Sequence, residues 1–138
     1  MSPSRFSKRA VVIVALVLSA AATALAQAPG LTRVLVGRGD VSIPGREAVV
    51  ARVEVPPGGV AGWHTHPGDE ISYVMEGDAT LLVAGQPPRT VKAGESFVVP
   101  AGTVHNARND QPGPLRLVGV YVVEKGQPLA SPASAPAP

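Results

Sequence analysis

Beyond residue 26 the apolar positions recur with a period of two. In 47–55, EAVVARVEV, residues Val49, Ala51, Val53 and Val55 share one face, while Val50, Arg52 and Glu54 share the other. That alternation marks a half-buried strand. Similar short runs rich in Val, Ile, Thr and Tyr follow, punctuated by Gly and Pro at the roughly 8–12-residue spacing of an all-β sandwich or barrel. The pattern predicts strands at 31–36, 47–55, 60–66, 71–76, 79–84, 89–93, 96–99, 104–107 and 115–123. The gaps at 67–70, 77–78 and 86–88 are short, which predicts antiparallel neighbours, and closure into a barrel would remove exposed edges. No internal repeat is visible.

The two ends of the chain break this pattern. Residues 1–26 join a basic stretch, SPSRFSKR, to an apolar run and end on Ala24-Leu25-Ala26. This is the layout of a secretory signal cut after Ala26, and the run is short and alanine-rich for a membrane span. A periplasmic or secreted protein, free of the membrane after cleavage, is expected. Residues 125–138, with the sequence KGQPLASPASAPAP, offer almost no large apolar side chains and predict a disordered Pro/Ala-rich tail. One domain remains, at 27–124.

Charge changes its meaning once the signal is removed. The whole chain has 12 basic and 10 acidic residues. Arg5, Lys8 and Arg9 leave with the leader and no acid does, so the mature chain is close to neutral. No basic cluster remains to suggest nucleic acid as a partner. Cysteine is absent, so disulfides and thiolate ligands are excluded. Any metal must be held by nitrogen and oxygen.

The candidate chemistry lies in two segments that contain every histidine of the chain. GGVAGWHTHPGDEISYVMEG, 58–77, places His64 and His66 two residues apart on an extended strand, where both side chains point the same way. Pro67-Gly68-Asp69 is turn chemistry, after which Glu70 opens the next strand and brings an oxygen toward the two nitrogens. GESFVVPAGTVHNARN, 94–109, carries His105 just after Pro100-Ala101-Gly102, where Gly102 permits a tight reversal. If the two segments meet, His105 completes a set of three nitrogens and one oxygen. Such a set suits one divalent transition metal (Fe, Mn, Ni, Cu or Zn) and leaves positions open to substrate.

These segments resemble the two signature motifs of the cupin superfamily. Gly58, His64, His66, Glu70 and Gly77 occupy the first; Gly94, Pro100, Gly102, His105 and Asn109 occupy the second, with both spacings intact. The short stretch between the motifs is like that of small single-domain members of the type-2 kind. The resemblance implies an all-β, single-domain jelly-roll barrel, or double-stranded β-helix, with a metal at its mouth on His64, His66, Glu70 and His105. It also implies a homodimer formed through an outer sheet.

Around the site, strand parity puts Trp63 and Tyr73 on the outer face and Ser72 and Val74 on the face of Glu70. Phe97 and Tyr121 are expected as core or pocket lining, and Arg52 with Glu54 as a solvated strand face. Asn109 is a candidate to tie down the loop after His105. No serine nucleophile elbow, phosphate loop or second carboxylate partner for Glu70 is present, so chemistry would be metal-centred. Three functions stay open: a dioxygenase-like oxidoreductase acting on a small organic molecule, with Glu70 doubling as proton acceptor; a non-catalytic module binding a small ligand or metal; and a metal-dependent isomerase or lyase.

Overall fold

The alternating residues pair into two antiparallel sheets in a computed structural model that describes residues 30–137. The predicted signal, 1–26, lies outside the described residues. In chain order the strands are β1 (Thr32–Asp40), β2 (Arg46–Val55), β3 (His64–Thr65), β4 (Gly68–Glu76) and β5 (Asp78–Val83). They continue with β6 (Arg89–Lys92), β7 (Ser96–Val99), β8 (His105–Arg108), β9 (Leu115–Glu124) and β10 (Ser131–Pro132). One sheet has the order β1-β2-β9-β4-β7 and the other β10-β3-β8-β5-β6.

The alternation read in 47–55 holds: Val49, Ala51, Val53 and Val55 are buried. On β9 the same parity buries Leu115, Leu117, Tyr121 and Val123. Burial of each such Val or Leu side chain contributes about 1.5–3 kcal/mol, and these rows, with Val74, Val91, Phe97 and Val99, form one core between the sheets. Gly68 is where β4 meets β9 most closely. A Cβ there would lie 1.9 Å from the Val122 carbonyl oxygen, so only glycine lets β4 start beside β9.

Two expectations require correction. The predicted strand at 60–66 shortens to His64–Thr65, with an isolated bridge between Val60 and Arg108, because Gly62 takes a φ of 84° and interrupts the ladder. The segment expected as a disordered tail has a defined course. Ser131 and Pro132 pair with Thr65 and His64, and the Ala133 amide donates to the Trp63 carbonyl at 2.9 Å. Leu129 packs against the core. The short β3 leaves backbone groups open on one side, and an edge of that kind can order a chain of low hydrophobicity through main-chain hydrogen bonds.

Candidate metal centre

Both sheets contribute to the site. β3 and β8 are register partners at His64 and His105, while Glu70 projects from β4 in the opposite sheet, across from Val99 and Tyr121. Gly102 has a φ of 70°, which turns the chain into β8 and lets its amide donate to the His66 carbonyl at 3.0 Å. The two motifs are joined there. One ligand atom from each of His64, His66, Glu70 and His105 lies within 4.8 Å of the others. His66, Glu70 and His105 are buried, and His64 is half-buried.

Each imidazole is oriented by a backbone carbonyl. His64 Nδ1 meets the Gly62 oxygen at 2.7 Å, His66 Nδ1 the Leu129 oxygen at 2.6 Å, and His105 Nδ1 the Thr103 oxygen at 2.9 Å. A carbonyl only accepts, so each Nδ1 carries a proton and each Nε2 is left facing the centre of the cluster, where it can bind a cation or, if protonated, donate to Glu70. Glu70 Oε2 stands 3.0 Å from both His66 Nε2 and His105 Nε2. A cation among these atoms would satisfy that spacing, as would a proton on His105 Nε2, which is placed to hydrogen-bond to Glu70 Oε2. His66 Nε2 is buried without a hydrogen-bond partner despite that short distance, so the carboxylate lies out of line for an N–H bond. The donor set fits a divalent transition metal better than a hydrogen-bonded polar core.

The surrounding electrostatics agree. Burial pushes the His64 imidazole down to about 4, with His105 and His66 adding to the shift, so the ring is neutral at pH 7 and free to donate its lone pair. Burial alone would raise the Glu70 carboxyl. The contacts from His105, His66 and Ser72 outweigh it and hold the carboxyl well below the usual carboxylate range. Ser72 donates to Glu70 Oε1 at 2.6 Å. With Oε1 held by Ser72 and Oε2 directed at the imidazoles, Glu70 is placed where it could serve as a metal ligand. A carboxylate this acidic is also a weak base.

Other sequence expectations divide. Tyr121 and Phe97 are buried and line the small cavity at the cluster, and the Tyr121 ring centroid lies 4.7 Å from that of His66. Burial pushes the Tyr121 phenol up to about 12, with the Glu70 charge acting the same way. Tyr73 faces outward, half-exposed, and Arg52 and Glu54 stay on an exposed face where Arg116 bridges Glu54 and Glu76. Asn109 is fully buried and donates to the Val55 and Gly113 carbonyls at 2.9 and 2.8 Å. Trp63, expected outside, instead lines the groove that leads to His64.

Sequence reasoning missed two residues. Leu129, in the supposed tail, orients His66. Arg33, on β1, lines the cavity beside the cluster. The available signal for Arg33 was parity, since it shares the face of Leu31 and Leu35.

A double-stranded β-helix with three imidazoles and a carboxylate at one end is the class that fold and site define. The chain belongs to the cupin family: residues 51–123, more than half of it, match the Cupin domain. It is 34% identical over 87 residues to germin-like protein subfamily 2 member 2 of Arabidopsis thaliana, covering 57% of this chain and 40% of that protein. It is 36% identical over 61 residues to the dimethylsulfoniopropionate lyase DddQ of Ruegeria pomeroyi, covering 44% of this chain and 30% of that protein. The chain thus spans less than half the length of these relatives. A double-stranded β-helix protein from Klebsiella pneumoniae superposes with a TM-score of 0.61 at 26% identity, covering 74% of this chain and 85% of that one.

Proposed function

We propose that this cupin is an exported metal-dependent oxidoreductase of the dioxygenase type, acting on a small organic molecule. The observation that supports it is the convergence of His64, His66, Glu70 and His105, with one ligand atom of each within 4.8 Å of the others. A bound Fe, Mn, Ni, Cu or Zn ion would supply Lewis acidity and, for the redox-active metals, electron transfer. The chain's own residues would do the rest. The carbonyls of Gly62, Thr103 and Leu129 orient the imidazoles, Ser72 holds Glu70 Oε1, and the Tyr121 phenol keeps its proton as a hydrogen-bond donor. Glu70 could accept a proton only by giving up its place among the ligands.

A metal-dependent lyase is the second reading, favoured by the match to the Ruegeria pomeroyi lyase. A binding module without turnover is the third. Metal analysis of mature protein prepared without chelator, with oxygen uptake over phenolic and enolic compounds, separates them. Stoichiometric redox-active metal with substrate-dependent uptake supports the oxidoreductase. Stoichiometric zinc, or metal without uptake, moves the assignment to the lyase or binder, and absence of metal removes the oxidoreductase and the lyase, leaving only a metal-free small-ligand binder.

Export rests on the leader at 1–26, and a periplasmic form beginning at Gln27 by mass is the expected result. Homodimerisation is supported by the outer face of β4 and β7, where Ile71, Tyr73, Met75 and Val98 are exposed. Light scattering should then give twice the mass of the mature chain.

A further inference from the structure

Two spaces meet at the candidate centre. An inner cavity of about 20 Å³, the size of an ion or a water, touches His64, Glu70 and His105. Outside it a groove of about 300 Å³ is lined by Trp63, Ala61, Gly62 and the tail residues Ala130–Pro132. That volume is at the lower end of small-molecule sites. Leu31, Arg33, Ala61 and His64 line both spaces and form the threshold between them. A larger groove of about 460 Å³, beside Arg52 and Arg116, touches none of the four candidate ligands.

Arg33 is the one cationic side chain at this threshold. The Arg33 side chain is half-buried; its guanidinium reaches the Tyr121 hydroxyl, but its Nε is buried without a hydrogen-bond partner, and among the described residues it forms no ion pair. The guanidinium carbon lies 5.8 Å from the centre of the Tyr121 ring. A buried Nε–H left unmatched carries a desolvation cost that an incoming acceptor would remove. The only acid lining either space is Glu70. With a divalent ion on three neutral imidazoles and one carboxylate, the threshold would carry net positive charge. The rest of the groove wall is largely apolar, with Trp63 as its largest face.

We infer that Arg33 selects an anionic substrate: a small carboxylic acid with an apolar or aromatic body, whose carboxylate pairs with the Arg33 guanidinium while its body lies in the Trp63 groove. This rests on the metal-centre reading and adds the substrate class to it. A guanidinium suits the task because its planar donors match a carboxylate two to two.

The test uses cobalt(II)-loaded mature protein with benzoate and its neutral isostere benzamide as probes. Cobalt stoichiometry reads the metal centre, and calorimetric affinities read Arg33. Wild-type protein should prefer benzoate by about tenfold or more, as a charge-assisted hydrogen bond implies. Arg33→Gln and Arg33→Met should abolish the preference while cobalt content and benzamide affinity stay unchanged, and Arg33→Lys should keep part of it. Two neutral variants guard against one failing to fold. Equal affinities in the wild type, or a preference that survives in either neutral variant because benzoate simply binds cobalt, would overturn the assignment to Arg33 alone. A wild-type chain that takes up no cobalt would overturn the metal centre and this inference with it.

Discussion

The two sheets do different work. The sheet β1-β2-β9-β4-β7 has strands of nine or ten residues in all but β7, and supplies much of the apolar core but only one candidate ligand, Glu70. The sheet β10-β3-β8-β5-β6 has strands of two to six residues, yet β3, its flank and β8 carry all three histidines. Long ladders with alternating Val and Leu make a stable wall. Short strands bounded by glycine and proline leave carbonyls free to orient imidazoles. Stability and the site are thereby partly separated, and substitutions should reveal the separation.

The largest effect is expected in the short-strand sheet. His105→Ala should abolish metal uptake, lowering affinity by more than the roughly 100-fold that loss of an outer hydrogen-bond partner brings, while circular dichroism stays that of a folded β-protein. Metal retained at full stoichiometry would refute the ligand assignment. The converse change is Leu117→Ala in the long-strand sheet. A buried leucine truncated there should cost about 2–5 kcal/mol in chemical denaturation, with metal stoichiometry intact. If metal is lost as well, the two functions are not separable.

Truncation after Gly126 tests how the boundary is held. It removes the Leu129 carbonyl from His66 Nδ1 and strand β10 from β3, and should weaken metal affinity by about 10–100-fold. An unchanged affinity would make the tail a bystander.

The smallest effect is on acid stability. His64, lowered to about 4, stays neutral in the folded chain while the unfolded chain takes up a proton below about 6.5. The stability of metal-free protein should therefore be full above pH 6.5 and fall as pH drops toward 4. Glu70, whose carboxyl is also held low, acts in the same sense at the acid end of that window. Screening at the half-buried His64 limits its share to about 1–2 kcal/mol. A flat melting temperature between pH 7 and 4 would show that His64 is not buried as described.

The four residues of the candidate cluster were legible because they depend on short spacings within each motif. His64 and His66 share a face by parity, and turn residues at Pro67–Asp69 and Pro100–Gly102 bring Glu70 and His105 inward. Whether the two motifs met could not be read from either one, and the resemblance to cupins carried that step. Trp63 was misplaced because the ladder of β3 ends at the φ of Gly62, so strict alternation did not apply. The tail was misread because its composition predicts only what it can bury, whereas its order comes from the open edge of β3 and one leucine.

Local chemistry along the sequence determined the strands, the apolar face of each, and the four residues able to hold a metal. Within each motif these follow from period-two patterning and turn residues a few positions apart, and the resemblance to cupins joined the two motifs. Tertiary structure decided what surrounds them: that Glu70 comes from the opposite sheet, that Arg33 from the first strand and Ala130–Pro132 from the last segment meet at one groove, and that the Leu129 carbonyl orients His66 from 63 residues away. Strand order brings these residues together, and it is set by how two whole sheets pack, which no local pattern encodes.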